Sequence, residues 1–206
     1  MRFVTLFLLC SLATFTHAQV GRNQGLLDPN LAPREQLRAL PHMSDSLVDA
    51  LIAARPITSA SELDALLAMA LDDSQRAAVY GGVFRQIDLN SATESEVMLI
   101  PGMSKRMAHE FEEYRPYASL EQFRREIGKY VDEDEVARLE QYVFIPLRLN
   151  DASEEDLMTI PGMSDRMAHE FEEYRPYTSL EQFRREIGKY VDDDEVARLE
   201  SYVTLD

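Results

Sequence analysis

Apolar side chains recur at spacings of three and four residues through the stretch PGMSKRMAHEFEEYRP (Pro101 to Pro116). The apolar positions are Met107, Ala108, Phe111 and Tyr114. This spacing places them on one face of a helix. Ser104 stands where a helix N-cap is expected, because its hydroxyl can accept a free backbone N–H. The helix should end before Pro116, since the residue preceding a proline is disfavoured in helical conformation.

Three further helices are predicted around this one, and no strand pattern is found. SATE (Ser91 to Glu94) and SLEQ (Ser119 to Gln122) match the capping box, in which a Ser cap and an acid or amide three residues later bond reciprocally. DEDE (Asp132 to Glu135) begins the last helix. The residues expected to face inward are Val97 and Ile100, then Phe123 and Ile127, then Val136, Leu139 and Val143.

This pattern repeats along the chain. Residues 101–143 and 161–203 align without a gap, and they differ only at Lys105/Asp165, Ala118/Thr178, Glu133/Asp193 and Gln141/Ser201. A weaker copy lies sixty residues earlier, and Asn30, Asn90 and Asn150 fall in step. We therefore divide the chain into unit 1 (27–86), unit 2 (87–146) and unit 3 (147–206).

The N-terminus has the features of a secretory signal peptide. Met1-Arg2 is followed by an apolar run (Phe3 to Phe15) and by small residues in THA (Thr16 to Ala18). We expect cleavage near Ala18, a short linker over 19–26, and export to the periplasm or the extracellular space. The one cysteine, Cys10, lies in the cleaved part, so the exported chain forms no disulfide. No later segment is apolar enough to span a membrane.

The charge balance is strongly acidic, with a formal net charge of −16. Removing residues 1–18 takes away Arg2 alone and makes it −17. Such a chain repels the DNA backbone and anionic lipid headgroups over most of its surface.

Residues LNSATESEVMLIPGMSKRMAHEFEEYRPYASLEQF (Leu89 to Phe123) resemble the doubled helix-hairpin-helix domain of the ComEA family of exported competence DNA receptors. The matching residues are Leu89, Asn90, Ala92, Pro101, Gly102, Ala108, Tyr114, Arg115 and Pro116. The resemblance implies an all-α fold with three tandem domains of this kind, one in each unit. It also implies that the hairpin presents backbone N–H groups at a helix N-terminus to a phosphate of double-stranded DNA. The implied DNA-binding residues are Gly102, Met103, Ser104, Lys105 and Arg106 in unit 2, and Gly162, Met163, Ser164 and Arg166 in unit 3.

The sequence departs from the family at the hairpins. The second glycine of the hairpin is a serine in every unit, and unit 1 has His42 in place of the first glycine with no cation near it. In unit 3 the nearer cation is replaced by Asp165. The second hairpin, aligned on Tyr130 to Asp132, is followed by acids that already occupy the positive end of the helix dipole. A phosphate approaching these carboxylates is repelled.

The basic cluster Arg124, Arg125 and Lys129 recurs as Arg184, Arg185 and Lys189. Two interpretations stay open: a solvated face with a Glu121–Arg125 pair, or a phosphate contact. Capping is the first interpretation of the DEDE acids, and a divalent-cation site is the alternative. The aromatic residues fall at core or link positions, which disfavours base stacking; they are Phe111, Tyr114, Tyr117, Phe123 and Tyr130.

No catalytic constellation and no zinc pattern accompany His109 and His169, which we expect on exposed helix faces. The sequence predicts a protein without enzymatic activity, cofactor or metal. Two functions compete. The first is an interaction or scaffold module for an envelope or extracellular protein, favoured by the acidic hairpins. The second is DNA binding in DNA uptake, through backbone phosphate contacts of the Gly102–Arg106 hairpin.

Overall fold

A computed structural model describes residues 25–205 of the chain. Short helices dominate that part, as the sequence predicts at the level of fold class. In chain order the elements are α1 Arg34–Arg38, α2 Asp45–Ala53, α3 Ala60–Ala68, α4 Asp73–Tyr80, β1 Ile87–Asp88, α5 Glu94–Val97, α6 Lys105–Glu113, α7 Leu120–Ile127, α8 Glu133–Glu140, β2 Val143–Phe144, β3 Leu147–Arg148, α9 Glu154–Leu157, α10 Asp165–Glu173, α11 Leu180–Ile187, α12 Asp193–Glu200 and β4 Val203–Thr204. The predicted signal peptide and nearly all of the predicted linker lie outside the described residues.

Short parallel strands join the beginning and the end of units 2 and 3, so the prediction of no strands is wrong. β1 pairs with β2 and places Ile87 opposite Val143, while β3 pairs with β4 and places Leu147 opposite Val203. Leu27 and Val83 form an isolated parallel bridge in unit 1. Strands of two residues are too short to produce an alternating pattern. Val143, predicted on the last helix of unit 2, lies instead in β2.

Two residues of the family pattern have structural roles. The Asn90 side chain accepts the Tyr117 N–H (2.7 Å) and donates to the Tyr117 carbonyl (3.0 Å). Arg115 donates to the carbonyl oxygens of Leu89 (2.6 Å) and Ala92 (2.7 Å). Together they tie the segment before α5 to the segment after α6. The same bonds recur from Asn30 and Arg55, and from Asn150 and Arg175.

The inward-facing positions predicted from the helix pattern are buried, except that Met107 and Tyr114 of α6 are half-buried. In unit 2 the core side chains Phe111, Phe123 and Ile127 are fully shielded from solvent. The rings of Phe111 and Phe123 meet edge to face with centroids 5.2 Å apart, an arrangement that adds to the stabilisation from burial. This contact joins α6 to α7 and recurs in unit 3 between Phe171 and Phe183.

The N-cap residues agree with the sequence except at α5. The predicted cap Ser91 lies two residues too early: Thr93 is the N-cap of α5 and forms a capping box with Glu96. Ser91 bonds instead to Asp88, a strand residue that the pattern did not reveal. Ser119 caps α7 as predicted, but Gln122 accepts the N–H of Ala118 rather than that of the cap.

Contacts between the units bring unit 3 back to unit 1. Equivalent ring contacts join consecutive units, Phe84 with Tyr142 and Phe144 with Tyr202, each with centroids 5.1 Å apart. The Tyr202 hydroxyl also donates to Asp28 (3.0 Å), and burial raises the pKa of Tyr202. The first and third units therefore share a direct interface.

Arg85 lies where the three units meet. Arg85 is 1% exposed. Its guanidinium lies 4.1 Å from the centre of the Tyr202 ring and 5.4 Å from the centre of the Phe144 ring. It also donates to the Ser201 hydroxyl (2.7 Å). A cation held between rings in this way is attracted to their π faces, and it connects unit 1 to unit 3. Within residues 25–205, no helix has the length and apolar character needed to cross a bilayer.

Candidate functional site

The α5–α6 turn of unit 2 carries the candidate phosphate-binding residues. Gly102 has a φ of 79°, the left-handed conformation that favours glycine. A side chain there would meet only the Arg138 guanidinium, at 3.7 Å, so the backbone conformation rather than crowding requires glycine. The Met103 N–H is bound to the Ile100 carbonyl (3.0 Å), and Ser104 caps α6 by accepting the Met107 N–H (3.2 Å). Two of the turn's predicted contact residues therefore also stabilise the turn itself.

Two cations beside this turn have no partner within residues 25–205. Lys105 and Arg106 form the start of α6, and both are exposed. Among the lysine and arginine side chains of residues 25–205, only these two make no hydrogen bond, ion pair or ring contact. They are free to neutralise an external anion without first giving up an internal carboxylate.

The equivalent turn in unit 3 is less open. Gly162 has a φ of 76°, and Ser164 caps α10 by accepting the Met167 N–H (3.3 Å). A side chain at position 162 would approach Leu31 of unit 1 to 3.0 Å. Arg166 lies 5.8 Å from the centre of the Tyr190 ring, and Asp165 stands where unit 2 has Lys105. Met163 keeps the bond of Met103, to the carbonyl of Ile160 (3.0 Å).

Unit 1 keeps the same turn without the glycine. His42 adopts a φ of 61°, which is unusual for a residue with a side chain. The prediction that no cation lies near this turn is wrong, because α1 supplies two. Arg38 donates to Asp45 (2.9 Å) and to the Met43 carbonyl (2.6 Å), and Arg34 pairs with Asp49. They lie on α1, the helix just before the turn, and both are already neutralised.

The acids after the second turn cap α8 as predicted. Asp132 accepts the Glu135 N–H (2.9 Å), so the chain's own carboxylate occupies this helix N-terminus. Arg138 donates to Glu135 (2.7 and 2.8 Å) and lowers the pKa of that carboxyl group. Asp192 makes the corresponding cap of α12 with Glu195 (2.9 Å). A phosphate would have to displace these carboxylates.

The basic cluster forms the salt-bridged face that was one of its two interpretations, but with different partners. Arg124 donates twice to Glu140 (2.5 and 2.6 Å), which joins α7 to α8. Arg125 (2.9 Å) and Lys129 pair with Glu126, not with Glu121. The hydrogen bonds from Lys129 and Arg125 lower the pKa of Glu126. The same pairs recur in unit 3.

Tyr130 lies in the link between α7 and α8 and is 37% exposed. Its hydroxyl bonds to that of Tyr114 (2.8 Å), and Lys129 lies 4.8 Å from the centre of the Tyr114 ring. Hydrogen bonding to Tyr114 and Glu110 raises the pKa of Tyr130. The other aromatic residues predicted at core or link positions of unit 2 are buried or half-buried.

The histidines and acids show no further site in the described residues. His109 and His169 are exposed, and each lies 3.7 Å from the glutamate one turn later. A search of residues 25–205 finds no group of three or more His, Cys, Asp or Glu side chains able to hold a metal ion. Comparison of the chain with protein families, with curated proteins and with solved structures gave no match.

Proposed function

We propose that this chain is an exported, non-enzymatic interaction protein built from three tandem helix-hairpin-helix domains, over residues 27–86, 87–146 and 147–206. Its partners are proteins of the envelope or the extracellular space. Residues 1–18 act as the signal peptide and are removed near Ala18. One observation carries the proposal: acidic side chains of the chain itself occupy or neutralise most positions that could hold a phosphate.

The supporting contacts lie in all three units. Arg38 of unit 1 is paired with Asp45, and Asp132 of unit 2 caps α8. In unit 3 the first turn begins with Asp165 and is contacted by Leu31. Each carboxylate at a helix N-terminus contributes about 0.3–1 kcal/mol to its helix. The acids thus stabilise the fold while they repel nucleic acid, which favours a protein partner.

DNA binding is the second candidate, and a specific observation favours it. Lys105 and Arg106 are exposed and unpaired beside Gly102, whose turn leaves the start of α6 accessible. Backbone N–H groups, a helix dipole and two cations together suit a phosphate. This is a single small site on an acidic molecule, so the binding it supports is weak and highly sensitive to salt.

Fluorescence anisotropy of labelled duplex DNA with residues 19–206 separates the candidates. The interaction proposal expects no binding tighter than the micromolar range at low salt. The DNA candidate expects binding that weakens by about 0.9 log units per log unit of salt for each phosphate contacted. It also expects Lys105→Asp to abolish binding. Lys129→Asp is the matched control, because it makes the same charge change at a lysine already paired with Glu126.

Photo-crosslinking in the native host tests the interaction proposal directly. A photoreactive amino acid replaces Ala137, an exposed residue of α8, or Ala197, its less exposed counterpart on α12. Adducts with protein from position 137, and fewer from 197, support the proposal. Adducts with DNA, or no adduct from either position, contradict it.

A further inference from the structure

Units 2 and 3 carry nearly the same surface, but unit 1 covers only one of the two copies. We call this surface the receiving face; it consists of residues 101–102 with 131–141 in unit 2, and of residues 161–162 with 191–201 in unit 3. The two copies differ only at Glu133/Asp193 and Gln141/Ser201. The Arg198 side chain in unit 3 is 3% exposed, whereas that of Arg138 in unit 2 is 34% exposed.

The segment that covers unit 3 is an edge of unit 1, formed by residues 28–31 and 55–58. Asp28 accepts the Tyr202 hydroxyl, and Leu31 lies against Gly162. Residues of this edge line a shared crevice with α12 and the two residues before it; they are Asn30, Leu31, Arg55 and Pro56 with Val191, Asp192, Asp194, Glu195 and Arg198. The molecule therefore shows, within one chain, how an edge of one unit binds the receiving face of another.

The corresponding groove of unit 2 has no lining residue from another unit. Between α11 and α12 of unit 3, Thr58 of unit 1 lines a groove of about 490 Å³. Between α7 and α8 of unit 2, a groove of about 790 Å³ is lined by residues of unit 2 alone. Its lining includes Val136, Ala137 and Glu140, the counterparts of residues that line the unit 3 groove together with Thr58. What is missing in unit 2 is an edge like that of unit 1.

Unit 3 presents such an edge, formed by residues 148–151 and 175–178. Asn150 and Arg175 make the same backbone bonds as Asn30 and Arg55, so the two edges have the same internal framework. Pro176 and Thr178 are exposed, and Thr178 matches Thr58, where unit 2 has alanine. This edge can offer a threonine to a groove of the same composition.

The two free surfaces carry one pair of opposite charges. Where unit 1 places Leu31, unit 3 has Asp151, whose side chain is 60% exposed and pairs with Arg148 of the same edge (3.2 Å). Arg148 takes the place of Asp28. Where the turn of unit 3 beside Leu31 has Asp165, the same turn of unit 2 has Lys105, which is unpaired within the described residues. The apolar contact seen within the chain is thus replaced by an exposed acid on one surface and a free cation on the other, and this opposite charge favours the pairing.

We propose that the partner of the open receiving face of unit 2 is a second copy of this chain, which docks the edge of its unit 3. This rests on the proposed interaction function and names its partner. The two surfaces are unlike, so each copy can use both at once. Association then continues beyond a dimer into an open linear assembly, unless the geometry closes a ring.

Charge exchange followed by sedimentation velocity tests the pairing in residues 19–206, without DNA. The average mass should rise with protein concentration, and the rise should weaken with salt. Asp151→Lys and Lys105→Asp should each weaken association about tenfold or more, and the double variant should regain it. Glu173→Lys is the control, an equal charge change at a 59% exposed residue outside the edge. A mass that stays monomeric up to about 1 mM, or a double variant no better than the single ones, overturns the proposal.

Cysteine trapping tests the register, because residues 19–206 contain no cysteine. A chain with Thr178→Cys is mixed with one carrying Ala137→Cys, the counterparts of the Thr58 and Ala197 positions that line one groove. Mixed disulfides should form faster than with Ala65→Cys, an exposed alanine of α3. Equal rates overturn the proposed register. If the chain is monomeric but position 137 crosslinks to another protein, this inference fails and the proposed function stands.

Discussion

At the residue scale, hydrogen bonds decide whether a side chain at a motif position stabilises the fold or remains available to a partner. Asn90 and Arg115 look like signature residues, yet their side chains are used on backbone groups of their own unit. Lys105 differs, because no partner within the described residues engages it. The position shared by His42, Gly102 and Gly162 has a positive φ in every unit, with glycine in two of them.

His42→Gly should therefore stabilise the protein. The left-handed conformation costs a residue with a side chain about 1–2 kcal/mol, and glycine avoids this cost. Glycine also loses more backbone freedom on folding, which costs about 0.5–1 kcal/mol. We expect a net stabilisation of about 0.5–1 kcal/mol, measured by urea unfolding. His109→Gly is the matched control: the same change inside α6 should destabilise by about 0.5 kcal/mol. A loss of stability at position 42 would contradict the argument.

At the element scale, the helices are too short to be stable alone, since isolated helices below about 12 residues are marginal in water. Caps and ion pairs between neighbouring helices compensate for this. Arg124 joins α7 to α8 through Glu140, while Lys129 and Arg125 converge on Glu126 at the end of α7. Because Glu126 has a lowered pKa in the folded protein, its contribution must depend on pH.

Glu126→Gln should reduce stability at pH 7 and have little effect near pH 3. A carboxyl group with a lowered folded pKa stabilises the fold above its unfolded pKa, about 4.3, and that stabilisation is lost as the pH falls through the folded pKa. Urea unfolding in about 0.5 M NaCl, which screens the general repulsion between acids, gives the comparison. Glu133→Gln, at an exposed acid without an ion pair, is the control and should lose only the small helix-dipole contribution of a first-turn acid. An equal effect of Glu126→Gln at both pH values would refute this account.

At the scale of the whole molecule, the three units form one structure rather than independent beads. Unit 3 contacts unit 2 through Phe144 and unit 1 through Asp28, and Arg85 is buried where they meet. Small units of about sixty residues bury a limited core by themselves, so these contacts add to the stability of each unit. They also determine which receiving face is covered.

Arg85→Ala should destabilise the protein by about 2–4 kcal/mol, because it removes a desolvated cation–ring contact and leaves a cavity. Arg125→Ala, at a side chain that is 65% exposed, should cost less than about 1 kcal/mol. Urea unfolding measures both, and hydrogen exchange within residues 147–204 should increase only for Arg85→Ala. A loss below that of Arg125→Ala would show that Arg85 does not hold the units together.

The sequence by itself determined the helical class, the inward faces of the helices and most of their caps, because these depend on spacings within about ten residues. The resemblance to a known family, rather than a spacing, pointed to Gly102 and Lys105 as candidate phosphate contacts. The sequence patterns missed the two-residue strands and the cap at Thr93, which short patterns do not encode. The contact of Arg85 with Tyr202 and the approach of Leu31 to Gly162 join residues far apart in the chain. Only the tertiary structure decided these contacts, and with them which of two nearly identical surfaces is left open.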